Sequence, residues 1–420
     1  VLGENYEDTF DITVKAEDFK FGIERTLSEQ TGSADAPLFS AVKSISTPDD
    51  FTIVFNLSYA DDNFLYALTN PGAMPCDEEF FNLTNGKYGL DAKYLLCNGP
   101  FHVSKWTEKT SVKLAKNNEY NGESSVSPSS VTFYINNDDS EVADKMNSVT
   151  YDVAFLSSSQ FSSIENKKDL NSVAVQNVTY SFIFNQNDNN YRNKNMRLAF
   201  CRSCDTSSLF DSQSDISKAD GIVPPSCKIG GEDYRNGNAA ELLSYDETLA
   251  KKNFNDALLD LGSSSVETTI LCTEQYEPFV KQMVQKLQKT LGVKFVSTVK
   301  VVSESDLEAA VNDGNYSVAF YPFKAKSSFA GEIIEGFDQN NIFGYESDVL
   351  SQKIRNIKNN SGSLEGERSA VADAENYLVS EAVIMPVFYE NSYFVTSKKT
   401  SGIYFYSSAD NVCFINAKKS

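Results

Sequence analysis

The sequence of 420 residues is poor in histidine, and His102 is its only one. Histidine is the usual general base of catalytic triads and the commonest metal ligand. His102 follows an Asn-Gly-Pro turn, and neither a G-x-S-x-G motif nor a paired-cysteine motif accompanies it. A glycine-rich phosphate-binding loop is also lacking. The sequence therefore predicts a protein that is not an enzyme and has no cofactor and no metal site.

Long apolar runs and basic residues are scarce as well. No run of about 18 apolar residues occurs, so the sequence holds no candidate membrane-spanning helix. The 37 Lys and Arg residues oppose 58 Asp and Glu residues, which gives a formal net charge of −21. Proteins that bind nucleic acids or anionic lipids do so through clustered Lys and Arg. The charge therefore argues against both classes of partner.

The seven cysteines form no obvious framework. Their number is odd, so at least one is unpaired within the chain. A Cys76–Cys97 disulfide is the pairing to test first, and a pairing of Cys201 or Cys204 with Cys227 is the extracellular alternative. Cys201-x-x-Cys204 has redox or zinc spacing, but no second pair follows at ligand spacing. A buried role is favoured for Cys201 because free cysteine packs as a small hydrophobic residue.

The hydrophobic pattern predicts a layered α/β protein. The chain is longer than one hydrophobic core usually serves, so two or three lobes are expected. We predict helices over 16–27 and 195–210, a β-hairpin over 101–114, and a strand–helix–strand unit over 131–155. Strands and helices alternate over 266–323, which is typical of a mainly parallel sheet with helices on its faces.

Four short motifs occur in order between the first predicted helix and the C-terminus. They are Ala16-Glu17-Asp18-Phe19; Asn98-Gly99-Pro100-Phe101 followed by Trp106, Leu114, Asn117 and Tyr120; Asn195-Met196-Arg197-Leu198-Ala199; and Ile384-Met385-Pro386-Val387. Together they resemble the extracellular solute-binding proteins of family 5, the oligopeptide and dipeptide receptors of ABC importers. The resemblance implies an α/β fold, a two-lobed clamshell of the type II periplasmic-binding-protein kind with a small extra lobe.

The resemblance also implies a domain division and a function. Lobe I would comprise residues 99–187 and 392–420, lobe II residues 188–391, and an incomplete, variable small lobe residues 1–98. The protein would capture a short peptide by hinge closure and deliver it to the membrane permease of an ABC importer. Family members begin with a secretion signal, whereas the first residues here are acidic. We therefore expect a chain that lacks its true start, from a monomer lipid-anchored at the bacterial cell surface or in the periplasm.

The expected ligand site lies beyond the carboxyl ends of the strands in the C-terminal sheet. The last strand of the 266–323 run brings Tyr321 and Phe323 to that edge, where each is either a cleft residue or a core residue. In peptide-binding relatives this edge supplies an aspartate to the peptide's amino group. The corresponding position here is Ala325, with lysines on either side. Another carboxylate then has to act as the anchor, or the ligand is not a standard free peptide.

The resemblance adds further ligand-contact candidates. Phe21 lies off the buried stripe of the first helix, so it either faces the cleft or packs against a second lobe. Asn340 and Asn341, which precede Phe343, match an asparagine-rich segment that lines the cleft in relatives. The alternative for its asparagines is turn formation.

Two other functions stay open at the level of sequence. The same receptor fold could bind a sugar, a metal complex or a signalling peptide, although a single histidine weakens a nickel complex. An envelope glycosidase that uses two carboxylates is the enzyme alternative, because two distant acids leave no local signature.

Overall fold

The computed structural model describes residues 13–59, 61, 64–122, 125–135, 139–206, 210, 216–325, 329–338, 341–360, 362–406 and 411–420. Its contacts divide the chain into two compact units. Unit 1 comprises Val1–Asp152, Ser397–Tyr404 and Val412–Ser420, and unit 2 comprises Val153–Thr396 and Phe405–Asn411. Residues 153–187, expected in lobe I, thus lie in the same unit as 188–391. A separate small lobe over 1–98 stays a prediction.

The helices and strands of the described residues are as follows. The α-helices are α1 (Ala16–Leu27), α2 (Phe64–Ala67), α3 (Glu78–Leu83), α4 (Asp139–Asn147), α5 (Ser158–Ser163), α6 (Asn189–Arg192), α7 (Lys194–Arg202), α8 (Glu247–Asp260), α9 (Glu277–Leu291), α10 (Glu304–Asn312), α11 (Ala330–Glu335), α12 (Asp348–Asn359) and α13 (Leu364–Ser380). The strands are β1 (Val42–Asp49), β2 (Thr52–Leu57), β3 (Phe101–Thr107), β4 (Ser111–Lys116), β5 (Ser130–Tyr134), β6 (Val153–Ser157), β7 (Leu170–Phe184), β8 (Ile216–Lys218), β9 (Lys228–Ile229), β10 (Glu232–Asp233), β11 (Val266–Cys272), β12 (Phe295–Val301), β13 (Val318–Lys324), β14 (Ile384–Ser397), β15 (Thr400–Ser401), β16 (Tyr404–Tyr406), β17 (Asn411–Cys413) and β18 (Lys418–Lys419). Within these ranges, none of the helices combines the length and apolarity that crossing a membrane requires.

In unit 1, α1 has the predicted bounds of 16–27. The backbone N–H of Lys15 donates to the carboxylate of Asp18 at 2.8 Å, which satisfies a free donor at the helix start. A Cβ on Gly22 would collide with the carbonyl oxygen of Met74, so only glycine permits this close approach. The helix packs into a small core that contains Ile23, Phe39, Phe64, Ala67 and Ala73.

The predicted hairpin over 101–114 is confirmed. Strands β3 and β4 pair in antiparallel fashion, and β5 extends them to a three-stranded sheet. The side chain of Asn117 donates to the carbonyl oxygen of Gly99 at 2.9 Å, and its backbone N–H donates to Pro100 at 3.0 Å. The Asn-Gly-Pro motif and Asn117 therefore close the base of the hairpin.

Unit 2 is built on a seven-stranded sheet with the order β12-β11-β13-β7-β14-β6, and β8 pairs with β14. Strand β11 runs parallel to both β12 and β13, with α9 and α10 as the crossovers, as the alternating pattern over 266–323 predicts. Strand β7 is antiparallel to β13, and β14 is antiparallel to β6 and β8. The sheet is therefore mixed.

Each face of this sheet carries its own hydrophobic core, because side chains alternate along a strand. On β13, Phe320 belongs to the first core, together with Phe182 of β7. The neighbouring Tyr321 and Phe323 pack against the second core, together with Ile183 of β7. Phe320 and Tyr321, which are adjacent in β13, thus pack into two separate cores on opposite faces of the sheet.

Two predicted elements differ from the structure. The strand–helix–strand unit over 131–155 is wrong, because β5 pairs with β4 whereas β6 pairs with β14 in another sheet. Hydrophobic periodicity identifies a strand but not its partner. The helix predicted over 195–210 ends at Arg202, since α7 comprises Lys194–Arg202.

All seven cysteines lie in the described residues, and each is unpaired. Neither the Cys76–Cys97 disulfide nor a pairing with Cys227 is present: Cys76 is buried and Cys97 is exposed. Cys201 is buried as predicted, and burial raises the pKa of its thiol to about 12. A thiol with so high a pKa is unreactive at neutral pH.

Candidate ligand-binding site

A cavity of about 230 Å³ lies within unit 2. Its apolar wall is formed by Ile216, Pro278, Phe279 and Phe388. Its polar groups come from Ser158, Ser159, Gln275, Tyr276 and Glu390. An apolar pocket with a few converging polar groups is typical of a small-molecule site.

Three chain segments bring the polar groups to this cavity. Strand β6 ends at Ser157, whose hydroxyl caps α5, so Ser158 becomes the first residue of that helix. Strand β11 ends at Cys272, and a 3-10 turn over Glu274–Tyr276 follows at its carboxyl end. Strand β14 contributes Phe388 and Glu390, which are two residues apart and therefore share one face.

Aromatic rings form a packed wall behind the polar groups. The ring centroid of Tyr276 lies 4.4 Å from that of Tyr180 and 5.6 Å from that of Phe388. Phe388 also contacts Phe279 and Phe320, at centroid distances of 5.3 Å and 5.6 Å. These distances are those of favourable aromatic pairs. The wall is thus part of the first core and is held in place by it.

Glu390 is the charged residue of this cavity. Its Oε1 accepts a hydrogen bond from the hydroxyl of Tyr276 and a longer one, at 3.5 Å, from the amide of Gln275. Burial raises the pKa of the Glu390 carboxyl above its ordinary value, and the hydrogen bonds from Tyr276 and Gln275 oppose this shift. Repulsion from the carboxylate of Glu304 adds to the rise.

Ser158 provides a polar group without a protein partner. Its side chain lines the cavity, and the residue is only 4% exposed. Within the described part of the chain its Oγ has no hydrogen-bond partner. Buried hydroxyls in native proteins nearly always have a partner. Ser158 is therefore suited to bind a polar group that enters the cavity.

Comparison with known proteins assigns the family. The sequence pattern of the bacterial extracellular solute-binding proteins, family 5 middle region, matches residues 10–343. The chain belongs to this family. As a family 5 solute-binding protein it is extracytoplasmic, and the assignment supports the receptor function rather than the glycosidase alternative.

Relatives of this family 5 protein are similar over nearly its whole length. The dipeptide-binding protein DppE of Bacillus subtilis (strain 168) is 22% identical over 425 residues, which cover 96% of this chain and 77% of that protein. The oligopeptide ABC transporter substrate-binding domain from Bacillus anthracis str. Ames has a TM-score of 0.78 at 18% identity. Listeria monocytogenes OppA bound to peptide has a TM-score of 0.77 at 21% identity. Each of these two matches covers 97% of this chain and 84% of the chain in the solved structure. The similarity confirms the type II periplasmic-binding-protein-like fold.

Two of the predicted contacts of this family 5 protein lie across the sheet from the cavity. Tyr321 and Phe323 are half-buried on the face of the second core, and their ring centroids are 5.7 Å apart. Phe323 also stacks on Phe337, with centroids 5.7 Å apart. Both side chains retain exposed surface, so their contact with ligand stays a prediction.

The structure describes Asn341 and Phe343 of the segment that was predicted either to line the cleft or to form a turn. Phe343 is 2% exposed and stacks on Phe337 at 4.6 Å, so it is a core residue without surface for a ligand. The side-chain amide of Asn341 donates to three backbone carbonyl oxygens, and its Oδ1 accepts from the backbone of Phe343 and Tyr345. Asn341 therefore forms a turn. Asn340 lies outside the described residues.

Phe21, the predicted contact in unit 1, is half-buried. Its ring packs edge-on against Phe81 of α3, with centroids 5.6 Å apart. Phe81 therefore covers one side of the Phe21 ring. Contact between the exposed part of the ring and a ligand stays a prediction.

The sequence prediction missed the polar residues of the cavity. Glu390 carried the clearest signal, because it interrupts a strand whose preceding residues are almost all apolar and buried. Gln275 and Tyr276 carried a weaker one, since they follow the carboxyl end of a parallel strand. The sequence around Ser158 does not indicate a ligand-binding role, because only the fold brings this residue to the cavity.

Proposed function

We propose that this family 5 protein captures a short peptide by hinge closure and delivers it to the membrane permease of an ABC importer. The observation that carries the proposal is the cavity of unit 2, whose aromatic wall and converging polar groups suit one side chain of a peptide. The relatives DppE, a dipeptide-binding protein, and Listeria monocytogenes OppA, bound to peptide, support the ligand class.

We further propose that Phe21, Tyr321 and Phe323 contact the ligand. Their rings are half-buried, so each combines a packed side with exposed surface. Aromatic side chains of this kind are enriched in binding sites. We also propose a monomer that is attached to the cell envelope through a lipid anchor.

Peptide binding is tested by titration of the purified protein with a mixed library of tripeptides to pentapeptides. The expected results are saturable binding in calorimetry and a smaller radius of gyration in solution scattering, since closure around a ligand compacts the protein. A library of oligosaccharides of similar mass serves as the control. Saturable binding of the sugars alone, or no binding of any peptide, would contradict the proposal.

A further inference from the structure

The cavity of unit 2 points to one chemical class of ligand group. We infer that it takes a cationic group, an alkylammonium, which could come from a lysine side chain or from the N-terminus of a peptide. This inference rests on the proposed peptide-binding function and specifies its substrate class. The lysine side chain and the peptide N-terminus carry the same ammonium chemistry, and peptide libraries can distinguish between them.

The first argument is the unpaired charge of Glu390. Both hydrogen bonds to its Oε1 come from neutral groups, the hydroxyl of Tyr276 and the amide of Gln275. Its Oε2 accepts no hydrogen bond from any residue that the structure describes, and no Lys or Arg of those residues forms an ion pair with it. Glu390 is half-buried, and a carboxylate that loses part of its hydration is costly unless a cation pairs with it. An incoming ammonium would supply that missing partner.

The electrostatic surroundings act in the same direction. The only other charged group that affects the pKa of Glu390, among the described residues, is the carboxylate of Glu304. Tyr180 and Tyr276, the other titratable groups at this site, are neutral phenols because burial raises their pKa values. The cavity is therefore electronegative, which attracts cations and repels carboxylates.

Ser158 is an independent second observation. Its buried Oγ lines the same cavity and lacks a partner in the described part of the chain. An ammonium has three donors in different directions. A hydroxyl oxygen and a carboxylate oxygen on the wall of one cavity provide two acceptors for such a group.

The apolar wall fits the rest of an alkylammonium chain. The rings of Phe279 and Phe388 and the side chain of Ile216 would contact the methylene groups of a lysine. Aromatic faces also attract cations. The volume of about 230 Å³ is below the roughly 300 Å³ at which whole-ligand pockets begin, so the cavity suits one side chain rather than an entire peptide.

The test uses four tripeptide-to-pentapeptide libraries. Each carries at every position in turn either lysine or norleucine, whose uncharged side chain is one heavy atom shorter, with a free or an acetylated N-terminus. A lysine side chain in the cavity predicts that the lysine libraries bind about tenfold or more tightly, whether acetylated or not. A peptide N-terminus in the cavity predicts instead that acetylation weakens binding and that lysine and norleucine bind alike.

Substitutions connect this preference to the cavity. Glu390→Gln keeps the size and hydrogen-bonding capacity of the side chain but removes its charge, and should abolish the preference. Glu274→Gln removes the same charge from an exposed residue that does not line the cavity, so it should preserve the preference. Ser158→Ala should weaken binding of the cationic libraries several-fold. An unchanged preference in Glu390→Gln overturns the inference and leaves peptide binding intact.

A probe without any peptide separates this inference from the proposed function. Thermal unfolding is measured with millimolar n-butylammonium and with n-butanol. We expect stabilisation by the ammonium but not by the alcohol, and its loss in Glu390→Gln. If no peptide library binds, the proposed function fails, and this titration alone decides the inference: equal effects of the two compounds would overturn it.

Discussion

The hydroxyl of Tyr276 donates a hydrogen bond to the carboxylate of Glu390. This bond joins the turn after β11 to strand β14, two segments that lie 114 residues apart in sequence. Because the acceptor is a half-buried carboxyl group, the bond both positions Glu390 and opposes the rise of its pKa. The chemistry of the cavity therefore depends on a pair of residues from distant parts of the chain.

Replacing Tyr276 by phenylalanine should weaken cation binding. Tyr276→Phe keeps the ring in the aromatic wall but removes the hydroxyl that holds Glu390. We expect about tenfold weaker binding of lysine-containing peptides in calorimetry, because hydrogen bonds to charged groups are the stronger ones. Tyr377→Phe is the matched control, since its hydroxyl bonds to Ser347 and Tyr345 away from the cavity. An equal loss in both variants would argue against a specific role for Tyr276.

Cation binding should strengthen as the pH rises. Burial raises the pKa of Glu390 above its ordinary value of 4.5, while the lysine of the ligand stays charged. Affinity for lysine-containing peptides should therefore increase from about pH 4.5 until Glu390 is ionised, and then level off. Glu390→Gln should show a flat profile over the same window, apart from any contribution of Glu304. A falling affinity in the wild type would contradict the prediction.

The stability of the ligand-free protein should change with pH in the opposite direction. A carboxyl whose pKa is raised in the folded state binds its proton more tightly there than in the unfolded state. The contribution of Glu390 to stability is thus full below about pH 4.5 and is lost as the pH rises through the raised value. We expect ligand-free Glu390→Gln to be at least as stable as the wild type at neutral pH in urea denaturation. Glu274→Gln provides the comparison for a simple change of net charge.

A buried ion pair should be essential for the folding of unit 2. The guanidinium of Arg235 pairs with the carboxylate of Glu375 of α13, and their side chains are 8% and 1% exposed. Glu375 also accepts hydrogen bonds from the backbone of Ile222 at 2.6 Å and Val223 at 2.9 Å. Glu375→Leu would leave the arginine charge and both amides unpaired, so we expect a loss of about 3–5 kcal/mol in the free energy of unfolding.

Urea denaturation followed by circular dichroism measures this loss. Glu365→Leu, in the exposed first turn of the same helix, should change the free energy of unfolding far less. A small effect of Glu375→Leu would show that the loop before β9 does not depend on this pair.

Gly22→Ala should destabilise unit 1. The new methyl group would collide with the carbonyl oxygen of Met74, and backbone cannot move aside as a side chain can. We expect a loss of about 1–3 kcal/mol, as for other overpacked sites. Trp106 is the only tryptophan and lies in unit 1, so its fluorescence reports on the unfolding of this unit. Gly99→Ala, where the added Cβ meets open space, is the matched control and should have little effect.

Local patterns in the sequence determined much of the fold. The four-residue repeat of α1, the alternation in β3 and β4, and the strand–helix rhythm of β11, β12 and β13 each depend on residues close together in the chain. Side chains on one face of a helix or strand recur with a fixed period, so such elements are readable without tertiary information. The family motifs act at the same level, and the hydrogen bond from Asn117 to Gly99 joins two parts of one such motif at the base of the hairpin.

The tertiary structure alone decided which residues meet. The sequence predicted a ligand site at the sheet edge with Tyr321 and Phe323, which stays a prediction, whereas the cavity lies on the opposite face, with Phe388 and Glu390. A periodic pattern shows that a strand has two faces, but which of them borders a cavity depends on packing with distant segments. Ser158, Tyr276 and Glu390 come from three such segments, and their converging positions follow from strand order and pairing rather than from any local signal.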